Sequence, residues 1–555
     1  MNRLFLLFFI FLSLQVFSKE LLVLTPAEIS HTEKRIQEFY SELGKPEAMD
    51  SQGIKTNPVT GLPFQAHLEL AMPISSGESA LVRQAQRKIT KNYRQWYCVR
   101  VLKKISPNFP CGESRKWGNF FKDDQVSDLA DSWVEKVTYS PDEIPVEGES
   151  NRPLWSDDYW AMVRGLTSYR YSEGDWFNDY REAISSYSQP QGWLSVLNLK
   201  LEKLNAAILK WSPAEKYDLS IEDLEFSLTN EQKKEGRGYE DEEGEVEPWM
   251  GLCHGWAPAS IMVPRPTQPV EIAGPSGSSI VWYPNDIKAM ITLAWANGNW
   301  ASNFVGRRCE QKKLKTFPNG RISSQDCFDN NPATFHLALG NLVGNAKASF
   351  VMDKAYDYQV WNQPIVGYQF TYFNPLDPSQ KSKSWEEVAA TYDKNFKKKD
   401  RFQKPLTRGK FREGSTNRRS LREGAQDAHI AKVVGVIATV VYLVETTPPQ
   451  FGPTPGDDEY GRDVYLYDLE IAKEREGWGI TGGEWHQNNH PDFLFVPKKN
   501  STASAVWDFL SEDPKVMGPS ASEKGAYPLC KVIKELVEKS SSAPDAYDCY
   551  SSTIP

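Results

Sequence analysis

The run Gly-Leu-Cys-His-Gly-Trp-Ala-Pro-Ala-Ser, residues 251–260, predicts a helix that begins close to a cysteine, Cys253. Gly251 lets the backbone approach its neighbours closely, and Pro258 suits the first turn of a helix. A thiol at the N-terminus of a helix faces aligned backbone N–H groups, which favour the thiolate over the thiol. Because the same N–H groups can stabilise an oxyanion, the run predicts the nucleophile of an acyl-transfer site.

The spacing of the cysteines points to the same residue. Six of the seven cysteines form three couples that are close in sequence: Cys98 with Cys111, Cys309 with Cys327, and Cys530 with Cys549. An oxidising compartment turns such couples into disulfides that close short loops. Six cysteines allow about 15 pairings, of which local pairing is the simplest. Cys253 is then left over, and an odd cysteine in an exported protein is reactive or paired with another molecule. A buried, inert thiol is the alternative.

The N-terminus has the pattern of a signal peptide, which we place at residues 1–18. Arg3 supplies the positive charge, Leu4 to Leu14 form an apolar run, and Ser18 is small enough for a cleavage site. The run is shorter than the roughly 20 apolar residues that a membrane span needs. We therefore expect a secreted or periplasmic protein with no membrane span.

Charge excludes one class of partner and marks two segments. The net charge of −9 argues against a nucleic-acid-binding protein. The segment from Tyr239 to Glu247 is acidic, and the segment from Lys397 to Arg422 is strongly basic. A solvated loop is the simplest interpretation of each. The acidic segment can alternatively offer carboxylate oxygens to calcium, and the basic segment can contact an anionic cell surface.

Hydrophobic patterning divides the chain and indicates an α+β fold. We expect a mainly helical N-terminal region at 19–150, with an acidic, proline-rich linker from Ser140 to Pro153. Residues 151–500 form the catalytic domain, and 501–555 form a tail that bears the last cysteine couple. The predicted elements are helices at Gly77 to Lys104, Asp123 to Val137, Asn285 to Asn297 and around Lys531 to Lys539, and strands within Thr334 to Tyr372 and at Val433 to Val444.

A cysteine nucleophile needs a base and a residue that orients the base. His254 is adjacent to Cys253 and points about 100° away from it on a helix. The segment from Thr334 to Asp353 suggests two strands joined at Gly344-Asn345, a dipeptide suited to a hairpin turn. That register places His336 opposite Asp353, with their Cβ atoms about 5 Å apart. We therefore predict a Cys253–His336–Asp353 set, although a histidine and an aspartate can also pair on a sheet without a catalytic role.

Several blocks of sequence resemble the transglutaminase elicitors of oomycetes. The run Val-Trp-Asn-Gln-Pro at 360–364, with Gly367, is similar to the elicitor peptide of that family, although Val366 stands where the oomycete peptide has a basic residue. Further blocks, in family order between residues 150 and 500, lie at 153–160, 211–218, 253–260, 335–338, 482–485 and 490–493. Several spaced blocks are more specific than a single motif.

The resemblance implies an exported enzyme with a papain-like core and a cysteine–histidine–aspartate set. It implies protein substrates that expose glutamine as acyl donor and lysine as acceptor, an N-terminal pro-region, and calcium dependence. No calcium site can be placed from the residues. Trp256 is the candidate for oxyanion or transition-state support. The chain departs here from animal transglutaminases, which have tryptophan directly after their cysteine, whereas Trp256 lies three residues after Cys253.

In the predicted mechanism, His336 takes the proton of Cys253, Asp353 fixes the imidazole tautomer, and a thioester with a glutamine side chain follows. Asn362 is the alternative orienting residue, and His490 with Asp492 is the alternative base pair. A cysteine peptidase or a glutamine deamidase would use the same thioester or acyl-enzyme step. A non-enzymatic surface protein that exposes the Trp361 segment is an alternative of another class, and a packed strand end is the simplest interpretation of that segment.

Overall fold

The computed structural model describes residues 126–171, 180, 199–241, 244–298, 300–309, 311–312, 314–317, 322–323, 327, 330–399, 430–446, 458–474, 477–503 and 530–541. The predicted signal peptide, the helix at Gly77 to Lys104 and the couple Cys98 and Cys111 lie outside these residues. Most of the basic segment and most of the tail lie outside them as well.

Helices outnumber the short strands in the first half of the described chain. They are α1 (Val126–Ala130), β1 (Glu147–Glu149), α2 (Leu201–Ile208), α3 (Pro213–Ser220), α4 (Ser227–Glu235), α5 (Cys253–Met262), β2 (Val270–Ala273), β3 (Ser279–Trp282), α6 (Pro284–Asn297) and β4 (Ser302–Gly306).

Strands dominate the second half. The elements are α7 (Pro332–Ala338), which continues as a π-helix (Leu339–Asn345), then β5 (Val351–Asp353), β6 (Asn362–Asn374), β7 (Asp377–Ser382), α8 (Trp385–Val388), β8 (Ala390–Thr391), α9 (Lys394–Lys399), β9 (Ile430–Val444), β10 (Glu459–Glu474), β11 (Gly477–Trp485), β12 (Phe493–Pro497) and α10 (Cys530–Ser541).

One large antiparallel sheet organises these elements. Its strands lie side by side in the order β11, β10, β9, β6, β5, β12, β4, while β1 and β7 also pair with β6 and β8 pairs with β9. The long strand β9 is buried from Val433 to Leu443, as its β-branched composition predicts. The chain thus has a mixed helix and sheet fold, consistent with the α+β prediction.

The sheet separates two hydrophobic cores, and β5 shows the separation residue by residue. Val351 belongs to the core that contains Cys253 and Trp256. Met352 belongs to the core that contains Phe335 and Phe370. Because successive side chains of a strand point to opposite faces, Asp353 lies on the same face as Val351. The face that carries Asp353 is therefore the one that α5 covers.

Helix α5 is fixed by close packing on α6. A methyl group at Gly255 would lie 2.2 Å from the carbonyl oxygen of Thr292, so only glycine allows this approach. Helix α6 begins at Pro284 and ends at Asn297, close to the predicted Asn285 to Asn297, and it is buried on nearly all sides rather than on one face.

The predicted hairpin between Thr334 and Asp353 is wrong. Asn331 and Pro332 begin a helix there, because the Asn331 side chain accepts the N–H of Ala333 at 2.9 Å and proline is favoured in the first helical turn. The Gly344-Asn345 dipeptide ends the π-helix instead of forming a two-residue turn. Asp353 pairs across the sheet with Asn362, not with His336.

The predicted linker from Ser140 to Pro153 contains a strand. Its strand, β1, pairs with β6 from Gly367 to Gln369, where Gly148 lies so close to Gly344 that a Cβ would meet the Gly344 Cα at 2.7 Å. Of the helix predicted at Asp123 to Val137, the described part has only Val126–Ala130. The C-terminal helix, Cys530–Ser541, matches the prediction. The domain boundaries themselves stay predictions.

The disulfide prediction is confirmed for one couple. Cys309 is bonded to Cys327. Cys530 is also in a disulfide, and its predicted partner Cys549 lies outside the described residues. Cys253 is the free cysteine of the described part. None of the described helices combines the length and the apolar composition that a bilayer span requires.

Candidate active site

Cys253 is the first residue of α5, as the sequence predicts, and its side chain is fully buried. Asn362, the first residue of β6, donates from its side-chain Nδ2 to the Cys253 Sγ at 3.4 Å. The N-terminal end of a helix and an amide donor therefore meet at the sulfur. Both features stabilise a thiolate relative to a thiol.

Burial and the carboxyl groups of Glu445 and Asp353 favour the neutral thiol, because each of them raises the pKa of Cys253. Burial raises the pKa of the Cys253 thiol far above its usual range, and the negative charge of Glu445 raises it further. The backbone and side-chain N–H groups of Asn362 lower that pKa, and the charge of Asp353 raises it. The thiol is thus neutral in this arrangement, and a nearby base must take its proton before it can attack.

Asp353 positions the loop that delivers Asn362. Its Oδ1 accepts the backbone N–H groups of Ala355 at 3.1 Å and of Trp361 at 2.7 Å. The two bonds close the loop between β5 and β6 around one carboxyl group. Burial raises the pKa of Asp353 well above its ordinary value, although these hydrogen bonds oppose the shift. The carboxyl group therefore holds a loop in place and does not orient an imidazole.

Glu445 is a candidate site residue that the sequence reasoning missed, and its charge acts on the Cys253 thiol. It directly follows β9, and Gln363 Nε2 donates to both of its oxygens, at 3.1 and 3.0 Å. Burial raises the pKa of Glu445 to about 7. A carboxyl group with that pKa exchanges protons near neutrality. The signal that could have found it is an acid at the very end of the buried apolar run from Val433 to Val444.

The segment before α5, at Gly251 and Leu252, packs against the backbone at Tyr159. The backbone N–H of Leu252 donates to the carbonyl oxygen of Tyr159 at 2.6 Å. A Cβ at Gly251 would lie 2.4 Å from the same oxygen, so the predicted close backbone approach at Gly251 is confirmed. Tyr159 also donates from its hydroxyl to the carbonyl oxygen of Pro248 at 3.2 Å.

His336 lies in the other core. Its Nδ1 is hydrogen-bonded to the Tyr467 hydroxyl at 2.9 Å, and its ring stacks on Phe370 with the centroids 4.0 Å apart. Burial alone lowers the pKa of His336 to about 3, with no contribution from Asp353 or Cys253. The geometric reason for choosing His336 as the base is therefore wrong. It is a packed histidine on the far side of the sheet.

Trp256 does not face the sulfur with its ring donor. The indole N–H of Trp256 donates to the carbonyl oxygen of Trp155 at 2.9 Å, and the side chain is fully buried one turn along α5. The predicted oxyanion support therefore has no free indole donor to use. Trp256 instead ties α5 to the segment that leads into Tyr159.

His490 and Asp492 lie behind Asp353. The His490 Nδ1 is 3.2 Å from the carbonyl oxygen of Pro491, and the ring stacks on Trp485 with the centroids 5.4 Å apart. The Asp492 carboxylate accepts the N–H of Cys309 at 2.7 Å, and its own backbone N–H donates to the carbonyl oxygen of Asp353 at 3.2 Å. This pair therefore supports the strand ends and the disulfide loop.

The segment that resembles the elicitor peptide is a strand end. Val360, Asn362, Gln363 and Ile365 are buried, and Trp361 is half-buried. The simplest interpretation of the segment is thus confirmed. The folded chain does not present these residues as an exposed binding segment.

Comparison with family models identifies the family of this chain. A family model described as transglutaminase elicitor matches residues 125–404, which is just over half of the chain. The chain belongs to the transglutaminase elicitor family. The match spans Cys253, Asp353 and Asn362, and it ends before Glu445.

One solved structure is similar to this family member. It is the crystal structure of the GP42 transglutaminase from Phytophthora sojae, with a TM-score of 0.45 and 18% sequence identity. The match covers 75% of this chain and 97% of that chain. No curated protein matches at a significant level.

Calcium dependence, which the family resemblance implies, stays a prediction. In the acidic segment, Asp241 accepts the N–H of Glu245 at 2.9 Å, and Glu247 holds Lys312 at 2.7 Å. Glu242 and Glu243 lie outside the described residues. Within the described part, no group of three or more histidine, cysteine or acidic side chains is placed to hold a metal ion.

We expect the His336→Gln variant to weaken the dependence of stability on pH. The unfolded chain takes up a proton on His336 below about pH 6.5, whereas the folded chain does so only near pH 3. The histidine therefore lowers the free energy of unfolding as the pH falls, by about 2 kcal/mol at pH 5. Urea unfolding at pH 7.5 and pH 5 should show that difference between wild type and H336Q.

The matched control is Tyr467→Phe, which removes the hydrogen-bond partner of His336 and keeps the imidazole. Its pH dependence should follow that of the wild type. H336Q should also react with iodoacetamide at Cys253 as fast as the wild type does. This placement of His336 would be contradicted if the free energy of unfolding changed equally with pH in H336Q and the wild type. A loss of Cys253 reactivity in H336Q would also contradict it.

Proposed function

We propose that this chain is an exported protein-glutamine γ-glutamyltransferase that crosslinks glutamine to lysine through a thioester on Cys253. The observation that carries the proposal is the contact of the Asn362 amide with the Cys253 sulfur, at 3.4 Å, at the start of a buried helix. Membership of the transglutaminase elicitor family supports it. A cysteine-bearing helix packed on an antiparallel sheet also supports the papain-like core.

In the first half of the reaction, Glu445 takes the proton of the Cys253 thiol. The sulfur attacks the carboxamide carbon of a substrate glutamine, and the oxygen of the tetrahedral intermediate faces the N–H groups at the start of α5 and the Asn362 amide. The carbon–nitrogen bond then breaks. The leaving nitrogen takes the proton from Glu445 and departs as ammonia, and a thioester remains.

In the second half, a lysine amine attacks the thioester carbon and gives a proton to Glu445. The carbon–sulfur bond breaks, and the sulfur recovers that proton as the isopeptide bond forms. The pKa of about 7 for Glu445 matches a group that takes and returns one proton in each half. Asn362 touches the reacting atoms, and Asp353 acts as a positioning residue, because its carboxyl group holds the loop that ends at Asn362.

The disulfides support a location outside the cytoplasm. Cys309–Cys327 and the disulfide of Cys530 fit an oxidising compartment, so we place the mature protein outside the cytoplasm, as a secreted or periplasmic enzyme. Its substrates are proteins that expose glutamine and lysine. Residues 19–150 contain the proposed pro-region.

Three readouts measured on one glutamine-containing protein separate this function from its rivals. We expect wild-type chain to release ammonia and to incorporate a primary amine in equal amounts, with no peptide-bond cleavage. A deamidase would release ammonia without amine uptake, and a cysteine peptidase would cleave. The Cys253→Ala variant should lose at least about a thousandfold in amine incorporation. Amine incorporation by C253A at the wild-type rate would refute the proposal.

The Glu445→Gln variant tests the base. We expect acylation of Cys253 in E445Q to be about a hundredfold to ten-thousandfold slower, and the rise in rate through pH 7 to disappear, because glutamine cannot take a proton. The matched control is Glu459→Gln. Glu459 is exposed, and it pairs with Val444, the residue before Glu445. The E459Q substitution therefore removes a carboxylate charge near Glu445 and leaves the site residues unchanged. An unchanged pH profile in E445Q would exclude Glu445 as the base.

A further inference from the structure

Lys312 contacts a cage formed by Glu247, Tyr358 and Trp249. It touches the carboxylate and the Tyr358 ring, and Trp249 packs against both of those residues. The Lys312 Nζ lies 2.7 Å from a Glu247 carboxylate oxygen and 5.1 Å from the centroid of the Tyr358 ring. A carboxylate beside an aromatic face is an arrangement that recognises a lysine or arginine side chain.

The three cage residues contact one another independently of Lys312. The Tyr358 hydroxyl donates to Glu247 at 3.2 Å, and the Trp249 indole N–H donates to the same carboxylate. The two rings meet edge to face, with centroids 5.7 Å apart. Arg308 donates to the carbonyl oxygen of Tyr358 at 2.7 Å and lies over the Trp249 ring. The cage is therefore a preformed site, and Lys312 is its occupant.

The cage adjoins the sulfur through two short segments. Trp249 lies four residues before Cys253, and Tyr358 lies four residues before Asn362. A segment of four residues spans at most about 14 Å. A cation in the cage is thus close enough to the sulfur to belong to a residue near the reacting one.

Lys312 is weakly held. Its side chain is 58% exposed, and that of Glu247 is 28% exposed. Ion pairs with this exposure contribute little to stability, so another cation can replace the Lys312 ammonium at little cost.

We propose that the cage of Glu247, Trp249 and Tyr358 is a substrate subsite for a lysine or arginine side chain close to the reacting glutamine. Lys312 fills the subsite until the substrate displaces it. The inference rests on the proposed function, and it adds a sequence preference: glutamine sites with a basic neighbour within about 14 Å are favoured. Lys312 accordingly competes with substrates.

Binding to the C253A chain tests the subsite without catalysis. The probes are glutamine peptides with arginine at successive positions around the glutamine, each paired with a peptide that has the neutral isostere citrulline. Arginine is not an acyl acceptor, so only docking differs. At low salt, we expect the best arginine peptide to bind about tenfold more tightly than its citrulline partner. The preference should shrink in high salt.

Two variants assign that preference to the cage. Replacing Lys312 with alanine should strengthen binding of the arginine peptide by about threefold and leave the citrulline peptide unchanged. Glu247→Gln should abolish the preference. The matched control for K312A is Lys315→Ala, an exposed lysine outside the cage, which should bind as the parent does. If E247Q fails to fold, Tyr358→Leu serves the same purpose, with a loss of about fivefold.

Equal binding of the arginine and citrulline peptides to K312A would overturn the proposal. An undiminished preference in a folded E247Q or Y358L chain would also overturn it. The outcome is separate from that of the proposed function. A chain that prefers arginine peptides but forms no isopeptide bond keeps the subsite and rejects the transferase, whereas an active chain with no preference rejects only the subsite.

Discussion

The site depends on the antiparallel pairing of β5 with β6, which brings the Asn362 amide against the Cys253 sulfur. Asp353 sits opposite Asn362 in this register and closes the intervening loop through two backbone N–H groups. A shift of one residue would turn both side chains to the other face of the sheet. The register therefore decides which groups meet the nucleophile, and the close packing of Gly255 on α6 fixes the nucleophile itself.

The sequence predicted the parts of the site that depend on local chemistry. The cysteine at a helix start, the unpaired thiol, the Cys309–Cys327 couple and the buried strand at Val433 to Val444 all follow from residue types and spacing. Asn362 was recognised as an alternative orienting residue, and it is the one that contacts the sulfur.

The hairpin prediction failed because the Gly344-Asn345 dipeptide is compatible with two different structures. Gly-Asn closes a hairpin, and it also ends a helix, because both places accept a left-handed or irregular backbone. The Asn331-Pro332 pair favours a helix instead, because Asn331 caps it and Pro332 begins it. The helix forms even though the apolar residues that follow alternate as in a strand. Glu445 was missed for another reason. Its electrostatic effect on Cys253 depends on the tertiary pairing of strands far apart in sequence, which spacing alone does not reveal.

The central claim is that the Cys253 sulfur, which is hydrogen-bonded to the Asn362 amide, forms a covalent bond with the glutamine side chain. Mass spectrometry of the chain mixed with a glutamine peptide, without any amine acceptor, tests it directly. The claim predicts an adduct of the peptide mass less one ammonia, located on the proteolytic fragment that contains Cys253 and removed by hydroxylamine. Release of ammonia with the adduct on another residue, or with no Cys253 adduct under rapid acid quench, would contradict it.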